Sequence, residues 1–406
     1  MKHCLIGETL KHSFSPQIHK KLGDYTYDLC EISIDELENF VKAKEYDGYN
    51  VTIPYKEKII PLLDNVSNDA LAIGAVNTVV VKDDKTYGYN TDVLGMDYML
   101  KSAGITLKDK TVMILGTGGT GKTATALAKK LGAKKIVTVS RSGDVNYDNC
   151  YDIKDVQVII NTTPVGMYPN CYSSPIDIKK FGKLEGVADV VYNPLTTKLV
   201  YDAMQLGIPA VNGLVMLVAQ AKYASDLFTG KISSDDKILP IYNILRKQMQ
   251  NVVLVGMPSS GKSSLGKALA KSLNKEFIDT DEEIVKKINC TIPDFFAKYG
   301  EQAFRKVESE VLKEVMLKRG AVIATGGGIV TVEENIFPLK SNSKVVYIKR
   351  STDKLSRAGR PLSANADLDK MYRTRAPLYE GVADITAKND GDFNQTVKEI
   401  IDKCEF

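Results

Sequence analysis

Histidine is scarce in this chain and cysteine comes without partners nearby. Only His3, His12 and His19 occur, all near the N-terminus. They form no zinc-type cluster, which argues against a protein-built metal centre. The six cysteines (Cys4, Cys30, Cys150, Cys171, Cys290, Cys404) are scattered with no C-x-x-C pair, the pattern of reduced thiols rather than a disulfide framework. Long apolar runs are missing too: Val252-Val253-Leu254-Val255 is strand-sized, far short of a membrane span. The first residues show neither a long apolar segment nor a cleavage-site pattern, so a cytoplasmic protein is expected. A net charge of +4 over 406 residues gives no reason to invoke nucleic acid or membrane as a partner. Nothing in the sequence sets an oligomeric state.

Apolar content of 44% and charge content of 26% are those of a globular protein with ample core. Short apolar strands alternate with amphipathic helical patterns from end to end, which argues for parallel α/β architecture. Tyr27–Ile32 reads as a strand, followed by Ser33-Ile34-Asp35-Glu36, a capping box that predicts a helix through about Tyr46. Strands are predicted at Gly48–Ile53, at Thr111–Leu115 and at Lys135–Val139. A hairpin across Asp83-Asp84 joins Ala75–Val81 to Lys85–Tyr89. The strand–glycine loop–helix–strand unit over 111–139 has the length of a Rossmann half. A fresh strand at Val252–Val255 starts a further α/β unit, with no Gly/Ser-rich or Pro-rich linker before it. The expected division is 1–100 for substrate, 101–248 for a Rossmann cofactor domain whose last helices pack back on the first, and 251–406 for a P-loop kinase-like domain.

Two glycine loops carry the chemistry. Gly116-Thr117-Gly118-Gly119-Thr120-Gly121-Lys122-Thr123 fits both the dinucleotide turn G-x-G-x-x-G and the triphosphate loop G-x-x-x-x-G-K-[ST]; Gly256-Met257-Pro258-Ser259-Ser260-Gly261-Lys262-Ser263 fits only the second. Context separates them. The strand after the first loop ends Val139-Ser140-Arg141, with an arginine where NAD-binding turns place an acid. A guanidinium there suits the 2′-phosphate of NADP. No metal-binding acid follows Lys122, so its match to the kinase pattern is read as accidental. The second loop is followed by Phe277-Ile278-Asp279-Thr280-Asp281, read as a strand delivering two carboxylates. Lys262 is there to pair with phosphate oxygens and Ser263 to reach Mg2+.

The first hundred residues hold polar motifs with no simple folding rationale: His12-Ser13-Phe14-Ser15-Pro16, Asn50-Val51-Thr52-Ile53-Pro54-Tyr55-Lys56, Gly74-Ala75-Val76-Asn77-Thr78 and Tyr89-Asn90-Thr91-Asp92. With the NADP-type loop, and with Asn161-Thr162-Thr163-Pro164-Val165-Gly166-Met167, Asp189-Val190-Val191-Tyr192-Asn193-Pro194 and Asn212-Gly213-Leu214 onward, residues 1–248 resemble shikimate dehydrogenase. The resemblance implies that Ser13 and Ser15 bind the substrate carboxylate. Thr52, Asn77 and Gln220 would contact ring hydroxyls or orient the substrate. Lys56 and Asp92 would form the catalytic pair, either of which can transfer the proton. Gly116, Gly118, Gly119, Ser140 and Arg141 would hold the cofactor, with Tyr192, Gly213 and Met216 lining the nicotinamide pocket. Two departures bear on the 2′-phosphate: Ser140 stands where the family usually has Asn, and Gly143-Asp144-Val145-Asn146 replaces a second basic residue and part of a helix.

Residues 251–406 resemble shikimate kinase through Asp279-Thr280-Asp281, Gly300-Glu301-Gln302-Ala303-Phe304-Arg305, Gly326-Gly327-Gly328, Arg360-Pro361-Leu362 and Arg375-Ala376-Pro377-Leu378-Tyr379. The resemblance implies that Arg305 and Arg375 clamp a carboxylate and that Gly327 and Gly328 lie against the ring. Asp281 would receive the substrate hydroxyls. Ser263 and Asp279 would hold Mg2+, while Gly256, Gly261, Lys262, Ser263 and Ser264 would hold ATP. Lys262 and Arg360 would supply charge to the transferring group, and Arg357 would face the nucleotide from the lid. Ser259 replaces a glycine usual in the loop, and the lid between Arg357 and Arg360 is short. Together the halves imply reduction of 3-dehydroshikimate to shikimate with NADPH, then phosphorylation by MgATP. The alternatives are a quinate/shikimate dehydrogenase joined to another small-molecule kinase, and a non-catalytic metabolite sensor.

Overall fold

The computed structural model describes residues 1–10, 13–355 and 368–405. His12, Arg357, Arg360 and the expected lid lie outside the described residues. Contacts gather the chain into two units: Met1–Met167, Ser173–Tyr192 and Thr197–Ile244 make the first, and Tyr168–Tyr172, Asn193–Thr196 and Leu245–Phe406 the second.

The first unit holds two sheets. One contains β1 (Lys2–Gly7), β2 (Thr26–Glu31), β3 (Gly48–Val51), β4 (Asn65–Val66), β5 (Thr78–Lys82) and β6 (Lys85–Tyr89), in the order β2-β1-β3-β5-β6-β4. β1 is parallel to β2 and β3, whereas β5 runs antiparallel to β3 and β6. The expected hairpin is present, and Asp83 (φ 50°) and Asp84 (φ 56°) are both left-handed, the geometry of a type I′ turn. The capping box forms, with Ser33 N donating to Glu36 Oε2 at 2.7 Å. The helix it opens is shorter than expected: a 3-10 turn at Ile34–Glu36 leads into Leu37–Ala43, which stops at left-handed Lys44.

The other sheet contains β7 (Thr111–Leu115), β8 (Lys135–Val139), β9 (Val158–Asn161), β10 (Gly186–Asp189) and β11 (Ala210–Val211), ordered β11-β10-β9-β7-β8 and parallel throughout. The chain leaves β7 to one side and returns to its other side, so the carboxyl end of β7 is a topological switch point, where open α/β sheets bind ligands. The first glycine loop sits there and leads into the helix Gly119–Lys130. The helix Leu214–Thr229 packs against the helix Asp92–Ser102. Gly95 permits this, because a Cβ there would stand 2.8 Å from the Met216 carbonyl oxygen.

The second unit is built on β12 (Asn251–Val255), β13 (Glu276–Asp279), β14 (Ala321–Ala324), β15 (Ser343–Lys349) and β16 (Ile385–Lys388), all parallel in the order β13-β14-β12-β15-β16. β12 is buried at every position, as expected of a central parallel strand covered on both faces. One expectation is corrected. The segment read as a strand through Asp281 stops at Asp279, which caps the helix Thr280–Ile288 by accepting from Asp281 N at 3.0 Å. An acid next to exposed N–H groups makes a better helix cap than a strand residue. Among the described residues no helix is long and apolar enough to cross a membrane.

Candidate functional site

In the first unit Lys56 Nζ lies 2.7 Å from Asp92 Oδ2, with both side chains largely buried. Their positions have separate causes. Lys56 follows the turn after β3, and its carbonyl accepts from Val76 N. Asp92 opens the helix Asp92–Ser102, where the helix dipole favours a carboxylate. Asn77 completes the cluster: its Nδ2 donates to Gln220 Oε1 and Thr91 Oγ1, each at 3.0 Å, and its Oδ1 accepts from Thr91 N at 2.7 Å. Asn50 supports it from below, donating to Thr78 Oγ1 at 3.0 Å and to the Asn77 carbonyl at 3.2 Å. The sequence alone assigns Asn50 no role. Only the pairing of β3 with β5 brings it to Asn77, so no local signal marked it.

Ser15 begins the helix Ser15–Leu22, and its N–H donates to Ser13 Oγ at 3.2 Å. Thr52 is half-buried just beyond β3, against Gly7. Tyr192 faces Phe14 edge-on at 6.3 Å between ring centroids. Gly213 lies under the Val190 carbonyl and Met216 is buried in the following helix. Asp189 holds this corner together. Its carboxylate accepts from Asn161 Nδ2 (2.9 Å), Val191 N (3.0 Å) and Thr197 Oγ1 (2.7 Å). Burial nonetheless pushes its carboxyl up to about 7.

The first glycine loop presents open backbone at Gly118 and Gly119, where a Cβ would meet nothing within 4 Å. Gly116 has φ 104°. At Gly121 a Cβ would stand 2.4 Å from the Gly116 carbonyl oxygen, so glycine there lets the helix close on the strand. Lys122 turns away to Glu57 at 2.7 Å, and Thr123 donates to the Gly119 carbonyl at 3.1 Å. Ser140 lies just past β8 and exposed Arg141 follows it. The donor set fits a dinucleotide pyrophosphate with a cation at the ribose end.

In the second unit the loop after β12 leads into the helix Lys262–Leu273. Gly256 (φ 150°) and Gly261 (φ 97°) take backbone angles that side chains disfavour, and so does Ser259 (φ 63°). Lys262 is 6% exposed, and its ammonium donates to the Gly256 and Met257 carbonyls at 2.9 and 2.8 Å. Ser263 Oγ donates to Asp279 Oδ2 at 2.6 Å, and Ser264 follows in the same first turn. One hydroxyl and one carboxylate beside a phosphate loop fit Mg2+, which takes few protein ligands and completes its shell with phosphate and water.

The three glycines form a close-packed wall, with none of them at positive φ. A Cβ on Gly326 would stand 2.6 Å from Glu308 Oε1 and 3.0 Å from Asp281 Oδ1; one on Gly327 would meet Pro258, and one on Gly328 would overlap the Arg305 guanidinium. The Gly327 carbonyl accepts from Arg375 Nη1 at 3.2 Å and from the Tyr379 hydroxyl. Arg305, Asp281, Arg375 and the glycines thus converge. Arg305 sits on a helix that restarts after Gly300 (φ 78°). It pairs with buried Glu308 at 2.6 Å and with Glu301 at 3.1 Å. Burial raises the Glu308 carboxyl above its ordinary range, against the pull of Arg305. Glu308 was missed from sequence, although its i+3 spacing from Arg305 is the signal that would have found it.

A dinucleotide turn beside a Lys–Asp pair, and a triphosphate loop beside paired arginines, define an oxidoreductase joined to a phosphotransferase. Residues 5–79 match the family model "Shikimate dehydrogenase substrate binding domain" and residues 258–405 match "Shikimate kinase". A shikimate dehydrogenase (NADP(+)) of Clostridium perfringens is 40% identical over 247 residues, which cover 56% of this chain and 91% of the relative. The crystal structure of shikimate dehydrogenase 1 from Peptoclostridium difficile matches with TM-score 0.55 and 36% identity, covering 60% of this chain and 97% of that one. A Thermus thermophilus shikimate 5-dehydrogenase solved with NADP(H) and shikimate matches with TM-score 0.56 and 26% identity, covering 60% and 99%. The chain belongs to the shikimate dehydrogenase family and carries a shikimate kinase domain fused behind it.

Proposed function

We propose that the chain carries out two consecutive steps: NADPH-dependent reduction of 3-dehydroshikimate to shikimate, then MgATP-dependent phosphorylation of the 3-hydroxyl that the first step creates. The observation that carries this reading is the Lys56–Asp92 pair at 2.7 Å, set beside Asn77 and Gln220, in a chain that also carries the Lys262, Ser263 and Asp279 cluster. A cytoplasmic setting accords with it.

When bound, NADPH supplies the hydride. Lys56 and Asp92 hold a proton at the carbonyl oxygen, which takes it as the hydride reaches carbon; positioned acid–base groups contribute roughly 10²–10⁴-fold. Asn77 and Gln220, fixed to each other, orient the ring hydroxyls. Ser13 and Ser15 receive the carboxylate and Thr52 a ring hydroxyl. Gly116, Gly118 and Gly119 cradle the cofactor, Arg141 pairs with the 2′-phosphate beside Ser140, and Tyr192, Gly213 and Met216 form the nicotinamide wall.

In the kinase half MgATP supplies the phosphoryl group. Arg305 and Arg375 hold the substrate carboxylate, and Asp281 accepts from the attacking hydroxyl and orients it. Lys262 offers its ammonium to phosphate oxygens, a stronger acceptor than the carbonyls it now touches. Ser263 and Asp279 hold Mg2+. Phosphoryl transfer is mostly positioning plus electrostatic stabilisation, and these groups supply both.

The test is one coupled assay. Purified chain receives 3-dehydroshikimate, NADPH, Mg2+ and ATP, and shikimate 3-phosphate is measured. Product should form, and Lys56→Ala should stop the first step alone. NADPH oxidation on 3-dehydroquinate but not on 3-dehydroshikimate would overturn the reading.

A further inference from the structure

β15 lies directly beside β12, the strand that delivers the triphosphate loop. The residue just past the end of β15 is Arg350. Its guanidinium lies at the loop itself: Nη1 is 3.9 Å from where a Cβ on Gly261 would stand and 3.5 Å from the Ser259 carbonyl oxygen. That last contact is at the outer limit of a hydrogen bond. Nε is buried and has no hydrogen-bond partner among the described residues. Among those residues no carboxylate forms an ion pair with Arg350. Asp390 is within electrostatic reach, its carboxyl held below the ordinary range by the Ser351 N–H first and by Arg350 among the nearby cations, but its oxygens bond Ser351 N at 2.9 Å and Ser351 Oγ at 3.0 Å.

A partly buried guanidinium whose Nε makes no hydrogen bond and which no described carboxylate touches is costly to hold. Three other cations of this unit that are withdrawn from solvent have close partners. Arg305 has two carboxylates, and Lys262 and Lys275 have backbone carbonyls below 3 Å. Arg350 lies beside a loop whose N–H groups and lysine are arranged for an anion. Asn389 braces that loop from the same side, donating to the Ser260 carbonyl at 2.8 Å. The loop thus has a closer brace than the long Arg350 contact.

We infer that Arg350 is a further nucleotide-binding residue, whose guanidinium pairs with a phosphate oxygen of the bound triphosphate. This rests on the loop at 256–263 being an ATP site. Arginine suits the task because its fork can grip phosphate oxygens through two N–H groups at once.

The experiment is calorimetric binding of MgATP and of adenosine to the full chain, native and Arg350→Gln, each also in a Ser259→Gly background. Native protein that binds no MgATP would defeat the ATP-site reading itself, separately from the role of Arg350. If native protein binds, Arg350→Gln should weaken MgATP about tenfold or more, the size of one charge-assisted contact. Adenosine affinity should change less than twofold, and the loss should persist in the Ser259→Gly background. A thermal unfolding curve that overlays the native one would show that the unit is folded; a variant that fails this is replaced by Arg350→Lys, for which a smaller loss confined to MgATP is expected. Equal losses for MgATP and adenosine would overturn the inference. So would a loss that vanishes with Ser259→Gly, since Arg350 would then be bracing a strained backbone rather than gripping phosphate.

Discussion

The two glycine loops share the pattern glycine–lysine–hydroxyl residue, Gly121-Lys122-Thr123 in one and Gly261-Lys262-Ser263 in the other, and they use it in opposite ways. In the first, Gly121 is needed for space against Gly116, Lys122 is 43% exposed on its side chain and pairs with Glu57, and Thr123 spends its proton on the Gly119 carbonyl. In the second, Gly261 is needed for its backbone angle, Lys262 is buried against the loop, and Ser263 gives its proton to the carboxylate of Asp279. The G-K-[ST] pattern is common to both, but the hydroxyl of the second meets a carboxylate at the end of β13, the donor pair expected of a phosphate and metal site. The first loop has instead an arginine just past β8, the strand beside its own, the charge expected of a site for a 2′-phosphate.

Substitutions can break this comparison or sharpen it. The largest effects belong to the reacting groups. Lys56→Ala or Asp92→Asn should cut NADPH oxidation roughly 10²–10⁴-fold, while phosphorylation of added shikimate continues. Lys262→Ala should cut that phosphorylation roughly 10²–10³-fold and leave NADPH oxidation unchanged. Steady-state rates of both reactions on one preparation decide each case.

A pH effect comes next, and the halves differ in it because every histidine precedes residue 20. His19 stacks on Tyr27 at 3.9 Å and bonds to the Tyr25 hydroxyl at 2.7 Å; burial pulls its imidazole down to about 3. A depressed histidine means that the unfolded chain takes up the proton first, so stability is lost as pH falls from about 6.5 towards 3. Asp189, raised to about 7 by burial, acts in the opposite sense: its contribution is present at low pH and lost as pH rises through about 7. The contrast with His19→Phe isolates the histidine. From pH 7 to pH 5 the native first unit should lose about 2 kcal/mol relative to that variant, read by denaturant unfolding at each pH; parallel pH profiles would refute the assignment.

Cofactor choice is a smaller effect. Arg141→Ala should reduce the preference for NADPH over NADH about tenfold, the value of one charge-assisted bond to the 2′-phosphate. Least of all should follow from Lys122→Ala, less than about twofold in either reaction, because an exposed ion pair is worth under about 1 kcal/mol.

What the sequence made legible follows the same division. Local signals carried the hairpin at Asp83-Asp84, the capping box at Ser33, β8 to the residue, and both loops, since turn chemistry and short motifs are local. β1 went unassigned because its burial is almost continuous rather than alternating. The β13 boundary was missed because Asp279 serves at once as strand end and helix cap. Asn50, Glu308 and Arg350 were not singled out, since each acquires meaning only from a partner that the fold brings near. The triple glycine was read as backbone lying against substrate, yet it is also forced by Arg305, Glu308 and Pro258 packed behind it. Spacing in sequence showed which residues belong together, and crowding in space shows why no larger residue fits.

The most direct test of the account is an equilibrium titration of both nucleotides on the intact chain. MgATP and NADPH should each bind once, without displacing one another; Lys262→Ala should abolish only the ATP site, and Lys122→Ala neither. Displacement of NADPH by ATP, or undiminished ATP binding in Lys262→Ala, would contradict it.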